Sequence, residues 1–150
     1  MSQKIKIAID AMGGENSPRK IINAINTSLK KNKENYFYIV GNKDLLIKEI
    51  NNNALILNNS EIIHADKIIS DEESPLMAAK KGKDTSMWKS IELLKSKKAD
   101  ISLSAGNTGA MLVISRILLK TIEGISKPAL AALWPNKNNM NVVLDLGANI

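Results

Sequence analysis

Hydrophobic and polar positions along the chain follow first the two-residue period of a strand and then the longer period of a helix. Near the start, isoleucines alternate with lysine and alanine, which predicts a strand ending at Asp10. Ser17 is expected to cap the next helix, with Pro18 in its first position. Apolar residues at helical spacing predict that this helix continues to about Lys31. Its apolar face consists of Ile21, Ile22, Ile25 and Leu29.

Strand-like and helix-like spacing of apolar residues continue to alternate to the end of the chain. Further strands are predicted at 36–40, 61–65, 99–104, 128–134 and 141–145, and further helices at 44–50, 86–97 and 110–120. Because strands alternate with helices, the sequence predicts an α/β fold with a mainly parallel sheet and helices on both faces. The chain stops directly after a strong strand. We therefore expect residues 1–150 to be a single α/β domain, truncated and belonging to the amino-terminal half of a longer catalytic chain.

Two glycines follow the first predicted strand. Asp10 ends that strand, and Gly13 and Gly14 precede the next helix. Paired glycines let a ligand approach the backbone, and the helix behind them offers free N–H groups to an anion. In open α/β sheets, ligands bind at the carboxyl ends of the strands, where this loop is expected. A tight turn capped by Asp10 explains the same residues equally well.

A second glycine loop connects the strand at 99–104 with the helix at 110–120. It contains Ser104, Gly106, Asn107, Thr108 and Gly109, and every polar group in it can hydrogen-bond an anion. Two glycines flanking Asn-Thr are more specialised than a plain turn requires. We therefore favour a phosphate site over the alternative, a capped turn.

Two weaker candidates accompany these loops. Asp145 and Asn149 flank a glycine at the end of the last predicted strand. They would add a carboxylate at the carboxyl ends of the strands, where the two glycine loops are expected. Lys80 could neutralise phosphate, and Thr85 and Ser86 could donate hydrogen bonds at a helix start. A solvated loop followed by an N-cap is the alternative for this segment.

The amino-acid composition and two absent motifs exclude several kinds of catalytic and cofactor site. The chain has no cysteine, which excludes disulfides, thiolate ligands and a cysteine nucleophile, and its single histidine, His64, argues against a histidine-rich metal site. Gly13-Gly14 lacks the dinucleotide-binding spacing, and the segment around Gly82 lacks the residues of a P-loop. We therefore expect neither a metal nor another cofactor.

The net charge of +6 arises from abundant lysine. Compositional bias explains it, as does an acidic partner such as a carrier protein or an anionic membrane. Nucleic acid is disfavoured because aromatic residues make up 3% of the chain and arginine is scarce. The start does not have the pattern of a signal peptide, so a cytoplasmic protein is expected.

Several segments, taken in order and spacing, resemble the phosphate acyltransferases of the PlsX type. They are 9–14 with Pro18, 75–87, 104–110, 123–130 and 142–149. Three positions depart from the family pattern: Glu15 stands where Asp is usual, Lys80 where Arg is usual, and Thr85 where Ser is usual. Lys80 keeps the charge but loses the two-pronged grip of arginine on phosphate.

The resemblance implies transfer of a fatty acyl group from acyl-acyl carrier protein to inorganic phosphate, giving acyl phosphate for phosphatidic acid synthesis. It also implies a fold similar to the isocitrate and isopropylmalate dehydrogenases, a homodimer, and peripheral association with the inner face of the membrane. Two alternatives stay open. One is a phosphotransacetylase-like enzyme that uses coenzyme A thioesters, and the other is a non-catalytic phosphate-binding module.

A mechanism follows as a hypothesis. Loop N–H groups would hold phosphate beside Asn107, Thr108 and Ser104, and a phosphate oxygen would attack the thioester carbonyl directly. A thiolate is a good leaving group, so no protein nucleophile is required and catalysis is mostly positioning and oxyanion stabilisation. Asp10 or Asp145 would accept a proton or orient the loops, and the residues alone do not choose between these roles.

Overall fold

The computed structural model describes residues 4–144 and has an α/β architecture. Strands β1 to β4 are Lys6–Asp10, Tyr36–Gly41, Ser60–His64 and Ile101–Ser104, and β5 and β6 are Ala131–Pro135 and Met140–Leu144. Helices α1 to α6 are Arg19–Lys31, Lys43–Ile50, Ala54–Leu57, Pro75–Lys81, Ser86–Lys95 and Thr108–Leu119. A short 3-10 turn, Gly82–Asp84, lies between α4 and α5.

The first four strands form one parallel sheet in the order β3-β2-β1-β4. This confirms the predicted mainly parallel sheet. In its register Asp10 lies opposite Val40 on one side and Ser104 on the other. The ends of β1 and β4 are therefore level, and the loops that follow them emerge at the same edge of the sheet, here called the carboxyl edge.

Helices cover both faces of this sheet, as predicted. On one face Ile9 belongs to a buried cluster with residues of α1, α2 and α3, including Ile25 and Leu46. On the other face Ala8 clusters with Leu93 of α5. Because successive side chains of a strand point to opposite faces, Asp10 shares the face of Ala8 and points toward α5.

The predicted start of α1 is wrong in one respect. Ser17 does not cap the helix; its hydroxyl donates to the Gly13 carbonyl oxygen at 2.6 Å. Pro18 precedes the helix, which begins at Arg19, and the Ser17-Pro18 peptide is cis. The serine thus ties the glycine loop to the start of α1.

Three other features could not be read from the pattern. Helices α3 and α4 lie in segments where no helix was predicted, although Asn53 caps α3 and Pro75 opens α4. The two last strands exist as predicted, but β5 and β6 pair antiparallel in a separate two-stranded sheet.

Within residues 4–144, none of the helices has the length and hydrophobicity needed to cross a membrane.

Candidate functional site

A buried carboxylate lies at the centre of the carboxyl edge. Asp10 is only 2% exposed, and its Oδ1 accepts a hydrogen bond from the Met12 N–H at 3.1 Å. Its Oδ2 accepts a bond from the Ser104 hydroxyl at 2.8 Å. The Ser104 oxygen in turn accepts a bond from the Gly106 N–H at 3.1 Å. This network joins the two predicted glycine loops, which are distant in sequence.

The glycines allow the loops to touch. A Cβ at Gly13 would lie 2.8 Å from Asp10 Oδ2 and 2.9 Å from the Gly106 nitrogen, closer than a real Cβ approaches such atoms. A Cβ at Gly106 would lie 3.1 Å from the Gly13 Cα. Glycine is therefore required here for close packing between loops. The predicted approach of a ligand to the Gly13 and Gly106 backbone stays a prediction.

Gly14, in the first glycine loop, lies beside the side chain of Lys20. Its φ of +82° lies in the left-handed region, and a Cβ there would lie 2.4 Å from the Ala105 carbonyl oxygen and 3.3 Å from Lys20 Nζ. Lys20 is exposed and forms no ion pair with the part of the chain that the structure describes. This cation has no signal in the sequence, because a lysine in the first turn of a helix has no distinctive pattern.

The side chain of Asn107 forms hydrogen bonds within the chain. As the N-cap of α6, its Oδ1 accepts a bond from the Ala110 N–H at 2.9 Å. Its Nδ2 points toward three carbonyl oxygens of the segment before α4, at 3.4 Å from Ser70, 3.2 Å from Asp71 and 2.8 Å from Glu73. The side chain therefore positions that segment against the second glycine loop. Its predicted contact with phosphate stays a prediction.

We expect Asn107→Ala to destabilise this junction by about 2 kcal/mol, because it removes both a helix cap and bonds to the 70–73 carbonyl oxygens. Asn107→Ser keeps a cap acceptor and should recover about 1 kcal/mol. Urea unfolding measures the stability, and amide hydrogen exchange should quicken within 70–74 in both variants. Unchanged exchange in that segment would contradict the assigned role.

The remaining loop residues are placed less specifically. Gly109 lies against α4, since a Cβ there would be 2.7 Å from Pro75 Cγ. Thr108 is exposed in the first turn of α6. Lys80 is exposed in the last turn of α4, and no bond from its side chain to residues 4–144 links it to the Asp10 network. Asp145 and Asn149 lie outside the described residues.

The predicted helix start at 85–86 is confirmed, because α5 begins at Ser86. Thr85 caps α5, its Oγ1 accepting a bond from the Trp88 N–H at 3.3 Å. Ser86 is 1% exposed, and its hydroxyl has no hydrogen-bond partner among the described residues.

The segment before α4 also carries an ion pair. Lys81 donates to the Glu73 carboxylate, and this bond, helped by the Ser70 N–H, holds the pKa of Glu73 below its usual range. Both partners belong to the surface of the junction that Asn107 fastens. Within residues 4–144, acidic and histidine side chains form no group of three suited to a metal ion.

Together these features define an α/β chain whose carboxyl edge consists of two touching glycine loops around a buried carboxylate. The chain belongs to the family described as fatty acid synthesis protein, whose model matches residues 5–150. The predicted resemblance is confirmed.

Curated relatives carry a more specific name. The chain is 57% identical over 150 residues to a phosphate acyltransferase of Pelagibacter ubique (strain HTCC1062), covering 100% of the chain and 44% of the relative. It is 39% identical over 151 residues to a phosphate acyltransferase of Bradyrhizobium diazoefficiens, covering 100% of the chain and 43% of that relative. The chain thus spans less than half the length of these relatives.

Proposed function

We propose that the complete protein transfers a fatty acyl group from acyl-acyl carrier protein to inorganic phosphate, giving acyl phosphate for phospholipid synthesis. The observation that carries this proposal is the meeting of the two glycine loops around Asp10 and Ser104 at the carboxyl edge. Ligands of open α/β sheets bind at this edge. The family description and the names of the relatives supply the reaction class.

In the proposed step a phosphate oxygen attacks the thioester carbonyl carbon, forming a C–O bond. The C–S bond then breaks, and the carrier protein leaves as its thiolate. The proton of the attacking hydroxyl passes to Asp10, whose carboxylate has lone pairs beyond the two used by Met12 and Ser104. Lys20 offsets the negative charge of phosphate beside Gly14.

The wider expectations belong to the same proposal. We propose that the complete protein is a homodimer with the isocitrate dehydrogenase-like fold, located in the cytoplasm and bound peripherally to the membrane. The parallel sheet with helices on both faces supports the fold. The net charge of +6 supports an acidic carrier protein and an anionic surface as partners.

The test is to incubate the complete gene product with acyl-acyl carrier protein, with and without phosphate, and to trap acyl phosphate with hydroxylamine. We expect phosphate-dependent hydroxamate and release of carrier protein. A preference for the coenzyme A thioester would indicate a phosphotransacetylase-like enzyme. Absence of product from the folded protein with either donor would leave a phosphate-binding module.

The same assay tests whether Lys20 contributes to phosphate binding. Lys20→Ala should raise the KM for phosphate several-fold, because one positive charge beside the anion is lost. Lys30→Ala is the matched control, since Lys30 is an exposed lysine in the last turn of the same helix. Equal effects of the two substitutions would assign the change to net charge and remove Lys20 from the site.

A further inference from the structure

The Ser86 hydroxyl is a buried donor without a hydrogen-bond partner among residues 4–144. Ser86 is 1% exposed, and its Oγ has no partner among the described residues, whereas its backbone N–H donates to the Lys67 carbonyl oxygen at 3.0 Å. A buried hydroxyl without a partner is destabilising, so native proteins rarely retain one without another use. Nearby serines differ: Ser90 donates to the Met87 carbonyl oxygen at 2.8 Å and accepts a bond from Ser102 at 3.2 Å.

The Ser90–Ser102 bond shows which way Ser86 points. Residues four apart on a helix share a face, so Ser86 faces the sheet as Ser90 does. Residues two apart on a strand share a face, so Ser104 points to α5 as Ser102 does. Helix α5 lies across β1 and β4 on this face of the sheet.

The same bond fixes the level of Ser86 along the strands. The short connection from α5 to β4 lies at the amino edge of the sheet, where the Asp100 N–H donates to the Lys6 carbonyl oxygen at 2.8 Å. The carboxyl end of α5 is therefore near that edge, and its amino terminus lies toward the carboxyl edge. Ser86 is about 6 Å beyond Ser90 along the helix, and Ser104 is about 6.6 Å beyond Ser102 along the strand. Ser86 is therefore level with Ser104 and with Asp10, its partner in register.

The first turn of α5 suits an anion. The helix has ten residues with no acidic side chain in its first turn, and its amino terminus carries a partial positive charge. The unpartnered Ser86 hydroxyl is a second, independent feature of this terminus, on the helix face that is turned toward the sheet carrying Asp10 and Ser104.

We infer that the Ser86 hydroxyl donates a hydrogen bond to an oxygen of the phosphate that accepts the acyl group. This inference rests on the proposed function. Phosphate would lie between the first turn of α5 and the Asp10–Ser104 pair, with one P–OH directed to Asp10 and another oxygen to Ser86. Ser86 and Asp10 are both buried here, so phosphate can bind between them only if the surrounding segments at the carboxyl edge move apart.

The test uses Ser86→Ala in the complete gene product, with inorganic phosphate as the calorimetric probe. A bond to a charged oxygen is lost, so the dissociation constant and the KM for phosphate should rise about tenfold. The KM for acyl-acyl carrier protein should stay unchanged. The melting temperature should stay level or rise, because the substitution removes an unpartnered buried hydroxyl.

Ser90→Ala is the control, because it removes a buried serine hydroxyl from the same helix face, one turn further from the carboxyl edge. It should leave phosphate affinity unchanged. Wild-type affinity in Ser86→Ala, or a lower melting temperature without loss of affinity, would overturn the inference and make the hydroxyl structural. Wild-type protein that binds phosphate but forms no acyl phosphate would instead refute the proposed function, and the calorimetric comparison would still decide the role of Ser86.

Discussion

Replacing Gly14 with alanine is expected to lower the free energy of unfolding by about 3 kcal/mol and to abolish most activity. Two costs add at this position. The φ of +82° is unfavourable for any residue with a Cβ, and the new Cβ would lie 2.4 Å from the Ala105 carbonyl oxygen. The glycine loops would have to separate, and their separation would disturb the Asp10–Ser104 bond that joins them.

Gly124 provides a matched control for the first of these costs. Its φ is also +82°, but a Cβ there meets nothing within 4 Å among the described residues. Gly124→Ala should therefore cost about 1 kcal/mol, the penalty of the left-handed backbone alone. The difference between the two variants, about 2 kcal/mol, measures the contact between the loops.

Urea unfolding of the two variants of the complete gene product supplies this comparison. Acyl phosphate formation, measured in parallel, should fall in Gly14→Ala and stay unchanged in Gly124→Ala. If both variants lose the same stability and both remain active, the contact between Gly14 and Ala105 is unimportant and the glycine serves only its backbone conformation.

The parallel sheet could be predicted because its strands and helices have strong local patterns. Ile5 to Asp10 alternates clearly, and the helix that follows has four apolar residues on one face. The two glycine loops were recognisable for the same reason: each lies between a strand and a helix. Their placement at one edge follows from parallel pairing, which the register of Asp10 with Ser104 confirms.

The partners of the polar side chains could not be predicted, because they depend on contacts between distant segments. Ser17 resembles a helix cap locally, yet its hydroxyl bonds the Gly13 carbonyl oxygen. The sequence predicts that Asn107 binds phosphate, yet its amide bonds carbonyl oxygens 34 to 37 residues earlier in the chain. Lys20 Nζ lies beside the glycine loop, 3.3 Å from where a Cβ on Gly14 would be. For Ser17 and Asn107 a local signal identified the residue, and the fold determined its partner; for Lys20 there was no local signal.

Asp10→Asn is expected to reduce acyl phosphate formation roughly 100- to 1,000-fold while leaving the protein folded. The amide fills the same space and can still accept one of the two hydrogen bonds that Met12 and Ser104 donate. It cannot take a proton from the attacking phosphate. The loss should therefore appear in kcat, with the KM for acyl-acyl carrier protein little changed.

Asp100→Asn is the matched control. Asp100 also accepts a backbone hydrogen bond, from the Lys6 N–H at 2.8 Å, but it is exposed and lies at the opposite edge of the sheet. Both substitutions remove one negative charge and keep the shape of the side chain. Asp100→Asn should leave kcat unchanged, so a fall in both variants would indicate a general effect of charge.

Ser104→Ala separates the charge of Asp10 from its orientation. It keeps the carboxylate but removes the hydroxyl that bonds Asp10 Oδ2 at 2.8 Å and accepts the Gly106 N–H at 3.1 Å. A proton acceptor that is present but poorly oriented should lower kcat about tenfold, less than its replacement by an amide. Activity in Asp10→Asn within threefold of the wild type would exclude Asp10 as the proton acceptor. A large loss in Ser104→Ala alone would then show that the pair only holds the two loops together.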